Sequence, residues 1–249
     1  MAKKEKHCDR SGPDDEWLGD CWDPVAFDPE HRLVVSAAFG RRTEELTEVL
    51  VEDFHRRTQG RLMALMTSDE YPTYAQVIKE VYGVEVTPQR TGRPGRPASP
   101  YKEVPQGLLY ATVHKRREGN RVAGVETRLV YGSAGALAAA LADSSVSGRV
   151  NTSFVERHNG TDRNRNGRKA RKTYRFSKDR WVHEAVGRLT LYSYNFCWAV
   201  RTLRERGPDG RWQQRTPAMA AGLADHVWTM EEWLTFPGVQ RPRPAAEPG

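Results

Sequence analysis

The sequence predicts an α/β fold built on a mixed sheet flanked by helices, and three patterns point to it. Two pairs of apolar runs are joined by turn-forming residues, as in β-hairpins. A short buried strand runs directly into an aspartate and then a helix. Several longer segments carry apolar residues at helical spacing.

Taken in order, residues 24–27 and 33–39 read as two strands, with Asp28 and Pro29 at the first and second positions of a type I turn between them. Thr43 caps a helix whose first turn carries Glu44 and Glu45; Leu46, Val49, Leu50 and Phe54 recur along one face until Gly60. The run 62–66 is too short for a helix and reads as a buried strand leading into Thr67, Ser68 and Asp69. Pro72 opens the next helix, lined by Tyr74, Val77, Ile78 and Val81 and ended by Gly83.

Residues 84–107 read as a Pro/Gly-rich insertion, and 108–114 with 122–130 as a second hairpin around Gly119 and Asn120. A short helix over 134–142 follows, then one beginning at Ser153. A long amphipathic helix from Ser177 carries Trp181, Ala185, Leu189, Tyr192, Phe196, Val200 and Leu203 on one face. Thr216-Pro217 and the Thr229-x-x-Glu232 pattern start two small helices, and a Pro-rich tail follows from Pro237.

The chain has 249 residues, with 39 Lys+Arg against 32 Asp+Glu and 38% hydrophobic residues. That composition suits a globular protein and excludes disorder throughout. Apolar stretches such as 33–39 and 134–142 fall short of the roughly 18–20 residues a membrane span needs, and residues 1–6 are too polar for a signal peptide. The expectation is a cytoplasmic, nucleoid-associated protein with no membrane partner. Cys8, Cys21 and Cys197 match no disulfide framework. His7-Cys8 with Cys21 lacks a close second pair of zinc ligands, so reduced thiols are expected.

The charge is unevenly placed. Residues 157–180 hold ten Lys and Arg against Asp162 and Asp179, whereas 9–30 hold eight acids and only Arg10. A basic run is often a solvated helix face. The interleaved Asn, Thr and Tyr favour a polyanion, with DNA phosphates contacted by Arg157, Asn159, Arg163, Arg165, Arg168, Lys169, Arg171, Lys172 and Lys178. Residues 90–102, with a doubled Gly-Arg-Pro, suit either a flexible linker or a minor-groove contact, and the linker is favoured.

Two carboxylates stand out. Asp69 sits where a strand gives way to a helix, a position that faces ligands in α/β folds and that also suits a turn aspartate. Glu156 lies in the first turn of the helix entering the basic segment, where it also suits a capping box with Ser153. Carboxylates from separate elements can hold Mg²⁺ for phosphodiester displacement, and a two-metal site is the expectation. His158 reads as a surface histidine that is near enough to meet a phosphate.

The words NTSFVERHN (151–159), RKTYRFSK (171–178), YNFC (194–197), RTPAMAAGL (215–223) and TSDEYPTY (67–74) resemble bacterial insertion-sequence transposases of the DDE type, in the InsB-like group. They run in family order over nearly the whole chain. The resemblance implies a ribonuclease-H-like fold and a metal-binding Asp-Asp-Glu triad, with Asp69 as the second acid and Glu156 as the third. It also implies that element ends and target DNA are the partners, with a homo-oligomer or a full-length transposase as protein partner.

In that family the first acid lies in an opening strand that closes on a Val-x-Lys-Lys word, which residues 1–6 resemble. The resemblance therefore implies a chain starting just after that acid, with Asp20, Asp23 or Asp28 as possible substitutes and with impaired strand transfer. A non-catalytic DNA-binding product is the rival expectation. The expected layout is an acidic segment over 1–22, a catalytic domain over 23–206 with its insertion at 84–131, a helical extension over 207–236 and a tail over 237–249.

Overall fold

Local turn chemistry sets the first hairpin. The Asp28 carboxylate accepts the backbone N–H of Glu30 at 2.8 Å and meets His31 Nδ1 at 2.6 Å, folding the chain between β1 (Val25–Asp28) and β2 (Leu33–Ala37). The computed structural model describes residues 5–9, 11, 18–88, 99–119, 121–170 and 173–237. Asn120, Arg171 and Lys172, most of the Gly-Arg-Pro stretch and the tail beyond 237 lie outside the described residues. The chain divides into two compact units, Met1–Phe27 with Val35–Gly160, and Asp28–Val34 with Thr161–Gly249.

In the first unit, Thr43 caps α1 (Glu44–Arg57) by accepting the Leu46 N–H, and Gly60 at φ 72° follows its last turn. Next come β3 (Met66–Asp69), α2 (Thr73–Tyr82), β4 (Val84–Val86), β5 (Tyr101–Glu103), β6 (Tyr110–Glu118), β7 (Arg121–Tyr131) and α3 (Ala134–Asp143). The strands β3, β6 and β7 form one mixed sheet in that order: β3 runs parallel to β6, and β6 antiparallel to β7. Helices flank it. Val51 of α1 and Val77, Ile78 and Tyr82 of α2 pack with Leu108 and Tyr110 on one side, while Ala111, Val113 and Val150 pack with Leu137 and Leu141 on the other. Each large side chain buried this way contributes on the order of 1.5–3 kcal/mol. Gly132, at φ 99°, ends β7 where a Cβ would come within 2.6 Å of Leu109 Cδ1.

Three elements differ from expectation. The strand expected to be buried begins at Met66, not Leu62, and is not buried: Met66 and Ser68 are half-buried, Thr67 and Asp69 exposed. Leu62 packs into the first core and Leu65 into the second, and the ladder starts only where β6 lies alongside. The insertion closes on itself through β4 and β5, paired antiparallel from Val84↔Glu103 to Val86↔Tyr101. The second hairpin is longer than its apolar core requires, since β6 and β7 continue past Lys115 into exposed residues.

Helix α4 (Ser153–Arg165) runs from the first unit into the second. The second unit also holds α5 (Arg180–Cys197), a short ribbon of β8 (Glu205–Arg206) with β9 (Trp212–Gln213), α6 (Pro217–Ala220) and α7 (Met230–Thr235). Asn195 works as a strand partner within it, accepting from Val34 N–H at 3.0 Å and donating to Val34 C=O at 2.8 Å. Thr229 and Glu232 form the expected capping box. The buried face of α5 is His183, Gly187, Leu191 and Tyr194, not the one read from apolar spacing. Trp181 is 68% exposed and Leu189 38%, because small and polar side chains provide the close approach on this helix. The helix stops at Cys197, so Val200 and Leu203 are not on it, and Val200 instead donates its N–H to Arg215 C=O.

Candidate functional site

Asp69 is the last residue of β3, where the chain leaves the sheet for α2, and its carboxylate accepts the Tyr71 N–H at 3.4 Å. Its neighbour Glu70 is held by two strands at once, paired with Arg128 of β7 at 2.9 Å and with His114 of β6. That double anchor pins the turn after β3 and with it the backbone that presents Asp69. Asp69 also lies near the hydroxyls of Tyr74 and Tyr110. Burial first, and then the Asp69 charge, push Tyr74 up to about 12; burial likewise takes Tyr110 to about 12, with Asp69 adding to it against the hydrogen bond shared with Ser68. Both phenols therefore stay protonated as donors at neutral pH. Arg42 is sandwiched between Trp22 and Tyr71, 4.5 and 4.2 Å from the ring centroids.

The register relates the second acid to the first through Lys115. Asp69 pairs with Val113 on β6, and side chains alternate along a strand, so Asp69, Val113 and Lys115 share one face of the sheet. Lys115 stands two residues beyond the carboxyl end of β3, its Cα roughly 8 Å from that of Asp69 by ordinary strand spacings. Its ammonium grips the carboxylate of Glu156, in the first turn of α4. Glu156 also accepts the Thr152 hydroxyl at 2.7 Å. The start of α4 is tied by Asn151, whose Oδ1 takes the Ser153 N–H at 3.1 Å and its hydroxyl at 2.6 Å. Glu156 thus turns toward the sheet through Lys115.

By backbone register Asp69 lies across from Val113, two residues before the Lys115 that holds Glu156, while the Asp69 carboxylate itself meets the Tyr71 N–H and lies near the Tyr74 and Tyr110 hydroxyls. Crevices at the carboxyl ends of parallel strands are where α/β folds bind ligands. The donors are hard oxygens of the kind Mg²⁺ takes. Among the described residues neither Asp69 nor Glu156 belongs to a group of three His, Cys, Asp or Glu ligands tight enough to hold one ion. Asp28 is committed to its turn, and Asp23 lies beside the Cys21 thiol at 3.6 Å. The residues present therefore do not assemble a two-metal cage, and the Glu156 carboxylate is already paired with Lys115.

His158 is not at the surface. It is 4% exposed and stacks on Phe27 with centroids 4.8 Å apart. No disulfide links Cys8, Cys21 and Cys197.

The basic segment divides by role. Arg157, Arg163, Arg168 and Lys178 are exposed, and Asn159 is half-buried. Lys169 is buried in an ion pair with Asp162 at 2.8 Å. Arg165 donates to Thr190 C=O at 2.9 Å and lies over the Tyr194 and Trp198 rings. Arg165, Arg168 and Lys178 line one cavity of the second unit.

Sequence reasoning missed Glu70, His114, Lys115 and Arg128. The one local signal was the tandem acid at 69–70; the others depend on strand register. No helix is long and apolar enough to cross a membrane among the described residues. No protein-family model, curated protein or solved structure matches the chain.

Proposed function

We propose that this chain acts on DNA in the manner of a DDE-type insertion-sequence transposase, with a ribonuclease-H-like first unit and with Asp69 and Glu156 as its metal-holding acids. One observation carries the reading: Lys115, two residues past the Val113 that pairs with Asp69, holds the Glu156 carboxylate. The parallel β3–β6 pair, the acid in the first turn of α4 and the cationic residues that follow it add support.

Asp69 and Glu156 would hold Mg²⁺, which when bound supplies an activated water or hydroxyl and a stabilised leaving oxygen for phosphodiester displacement. Lys115 keeps the Glu156 carboxylate neutralised until a cation takes its place. Glu70, gripped by His114 and Arg128, keeps the strand end in position. Exposed Arg157, Arg163, Arg168 and Lys178 would meet phosphates of the element ends and target, with a second copy or a full-length relative as protein partner.

The test is nicking and end-joining of supercoiled plasmid and labelled oligonucleotides in Mg²⁺ or Mn²⁺. Metal-dependent cutting that is lost in both Asp69→Asn and Glu156→Gln is the expected result, and cutting that survives both sinks the assignment. The pair of acids, where a two-metal site needs more ligands, favours a second reading: a DNA-binding protein without catalysis. Salt-dependent DNA binding that survives Glu156→Gln, with no metal-dependent cleavage, selects it.

A further inference from the structure

A cavity of about 650 Å³ opens in the second unit between the segment after α4 and the first turns of α5. Arg165, Arg168, Arg175 and Lys178 line it, and its one carboxylate, Asp179, is engaged as the α5 cap by the Val182 N–H at 2.8 Å. Arg175 closes over Gly167: a Cβ there would lie 3.6 Å from its Nη1. Arg165 is held rigid by Thr190 C=O and the Tyr194 and Trp198 rings. The cavity is thus strongly cationic, and one of its three guanidinium groups, that of Arg165, is held in place by these contacts.

A second, independent feature is Asn166 in the cavity lining. It is 3% exposed; its Oδ1 accepts the Arg168 N–H at 3.1 Å, and its Nδ2 has no acceptor among the described residues. Buried donors are normally satisfied by protein, water or a ligand, and a phosphate oxygen at this wall would be one such acceptor. The remaining wall is apolar, made by Val182, Val186 and the ring of Phe176, which is 38% exposed. Cations and a waiting donor suit a phosphate; an accessible ring beside aliphatic side chains suits the flat face of a base. The hollow is open to solvent, so a ligand would lie against this wall rather than be enclosed.

We propose that this cavity binds one nucleotide of single-stranded DNA, its phosphate on Asn166 Nδ2, Arg168, Arg175 and Lys178 and its base against Phe176. A base inside a duplex is stacked and cannot reach a concave wall, so the site selects an unpaired or flipped nucleotide. The inference rests on the proposed DNA-binding function and deepens it by naming the strand state that is recognised.

The experiment is fluorescence anisotropy of the full chain with a labelled oligothymidylate and with a labelled duplex. The variants are Asn166→Asp, which keeps the acceptor for Arg168 N–H and trades the donor for a charge, and exposed Phe176→Ala, which leaves buried packing untouched. Each should weaken single-strand binding by about ten-fold or more and duplex binding by less than about two-fold. Equal loss on both probes, or no loss, overturns the proposal. Thymidine monophosphate that competes as strongly as the oligonucleotide overturns it in favour of a free nucleotide. Selective single-strand loss without metal-dependent nicking leaves this site standing and removes the transposase reading; nicking with no selective loss does the reverse.

Discussion

The buried pair of Lys169 and Asp162 makes the sharpest structural prediction, because it takes a residue out of a basic run and places it in the interior. The two side chains are only 7% and 10% exposed, 2.8 Å apart, and Asp162 also receives the Thr190 hydroxyl at 3.4 Å. Lys169→Met keeps the alkyl length and removes the charge, which leaves a buried carboxylate without its cation. Breaking such a pair from one side costs about 3–5 kcal/mol. In a unit of roughly a hundred residues each kcal/mol shifts the midpoint by roughly 4–8 °C, so a fall of at least about 10 °C is expected. Thermal unfolding followed by tryptophan fluorescence reads it, since Trp228 and Trp233 pack on Phe196 in the same unit. The double variant Asp162→Leu/Lys169→Met should recover most of the loss, because the apolar pair leaves no orphan charge. A single variant that melts within about 2 °C of the parent would refute the burial argument. A double variant that is folded yet binds DNA several-fold more weakly would return Lys169 to the phosphate-contacting set.

At the acid pair, Lys115→Met should tighten Mn²⁺ binding by about 5–30-fold while changing stability by less than about 1 kcal/mol, since a competing cation is removed from a part-exposed carboxylate. Calorimetric titration measures it, and a gain that persists after adding Asp69→Asn would place the ion elsewhere. Leu108, 1% exposed in the first core, should cost about 2–5 kcal/mol when cut to alanine, read from denaturant midpoints. His226 is raised above 6.5 by its bonds to Asp225 and then Glu232, so its support for the α7 region is complete below pH 6.5 and fades as pH rises through the raised value. Asp225 and Glu232 are lowered, from 3.8 and 4.5, so their part is present above those values and fades toward acid. NMR of the Trp228 and Trp233 indoles should therefore show a plateau between pH 4.5 and 6.5, and His226→Gln should erase its upper limb. Finally, with Lys169 and Arg165 committed internally, no more than eight of the ten cations over 157–180 remain for phosphates, so a duplex salt slope steeper than about −7 would require other surfaces.

Local chemistry was legible wherever a few neighbouring residues decide the outcome. Thr43, Thr216 and the Thr229–Glu232 box cap helices as their spacing says, and Asp28 folds its turn with its own carboxylate. The mixed sheet between helices was legible as a class. The first residue of β3 was not, because Leu62 and Leu65 are apolar for the sake of two different cores, and apolarity does not reveal whether a ladder accompanies it. The face of α5 was misread for a related reason: Gly187 adds nothing to an apolar stripe, yet it lies on the buried face. At the candidate site, the strand-end position of Asp69 and the first-turn position of Glu156 were readable. Lys115 was not, since its role depends on a register that places it two residues past Val113 and on a helix 41 residues further on. Asn195 meeting Val34 across 161 residues is invisible to any window.

Charge in the stretch from α4 to α5 therefore serves two ends that the composition cannot separate. Lys169 and Arg165 use their cations inward, one to neutralise a buried acid and the other to brace aromatic rings and a helix carbonyl. Arg168, Arg175 and Lys178 remain outward around a cavity whose donor amide is already desolvated. The inward pair supports the outward set, because Asp162 and Thr190 join α4 to α5 on the same side chains that frame the cavity. If the proposed polyanion site is assembled this way, its geometry is prepared before the ligand arrives. Less side-chain freedom is then lost on binding than a run of solvated lysines would lose. That preorganisation, more than the number of positive charges, is what would let this segment select one conformation of a nucleic-acid strand over another.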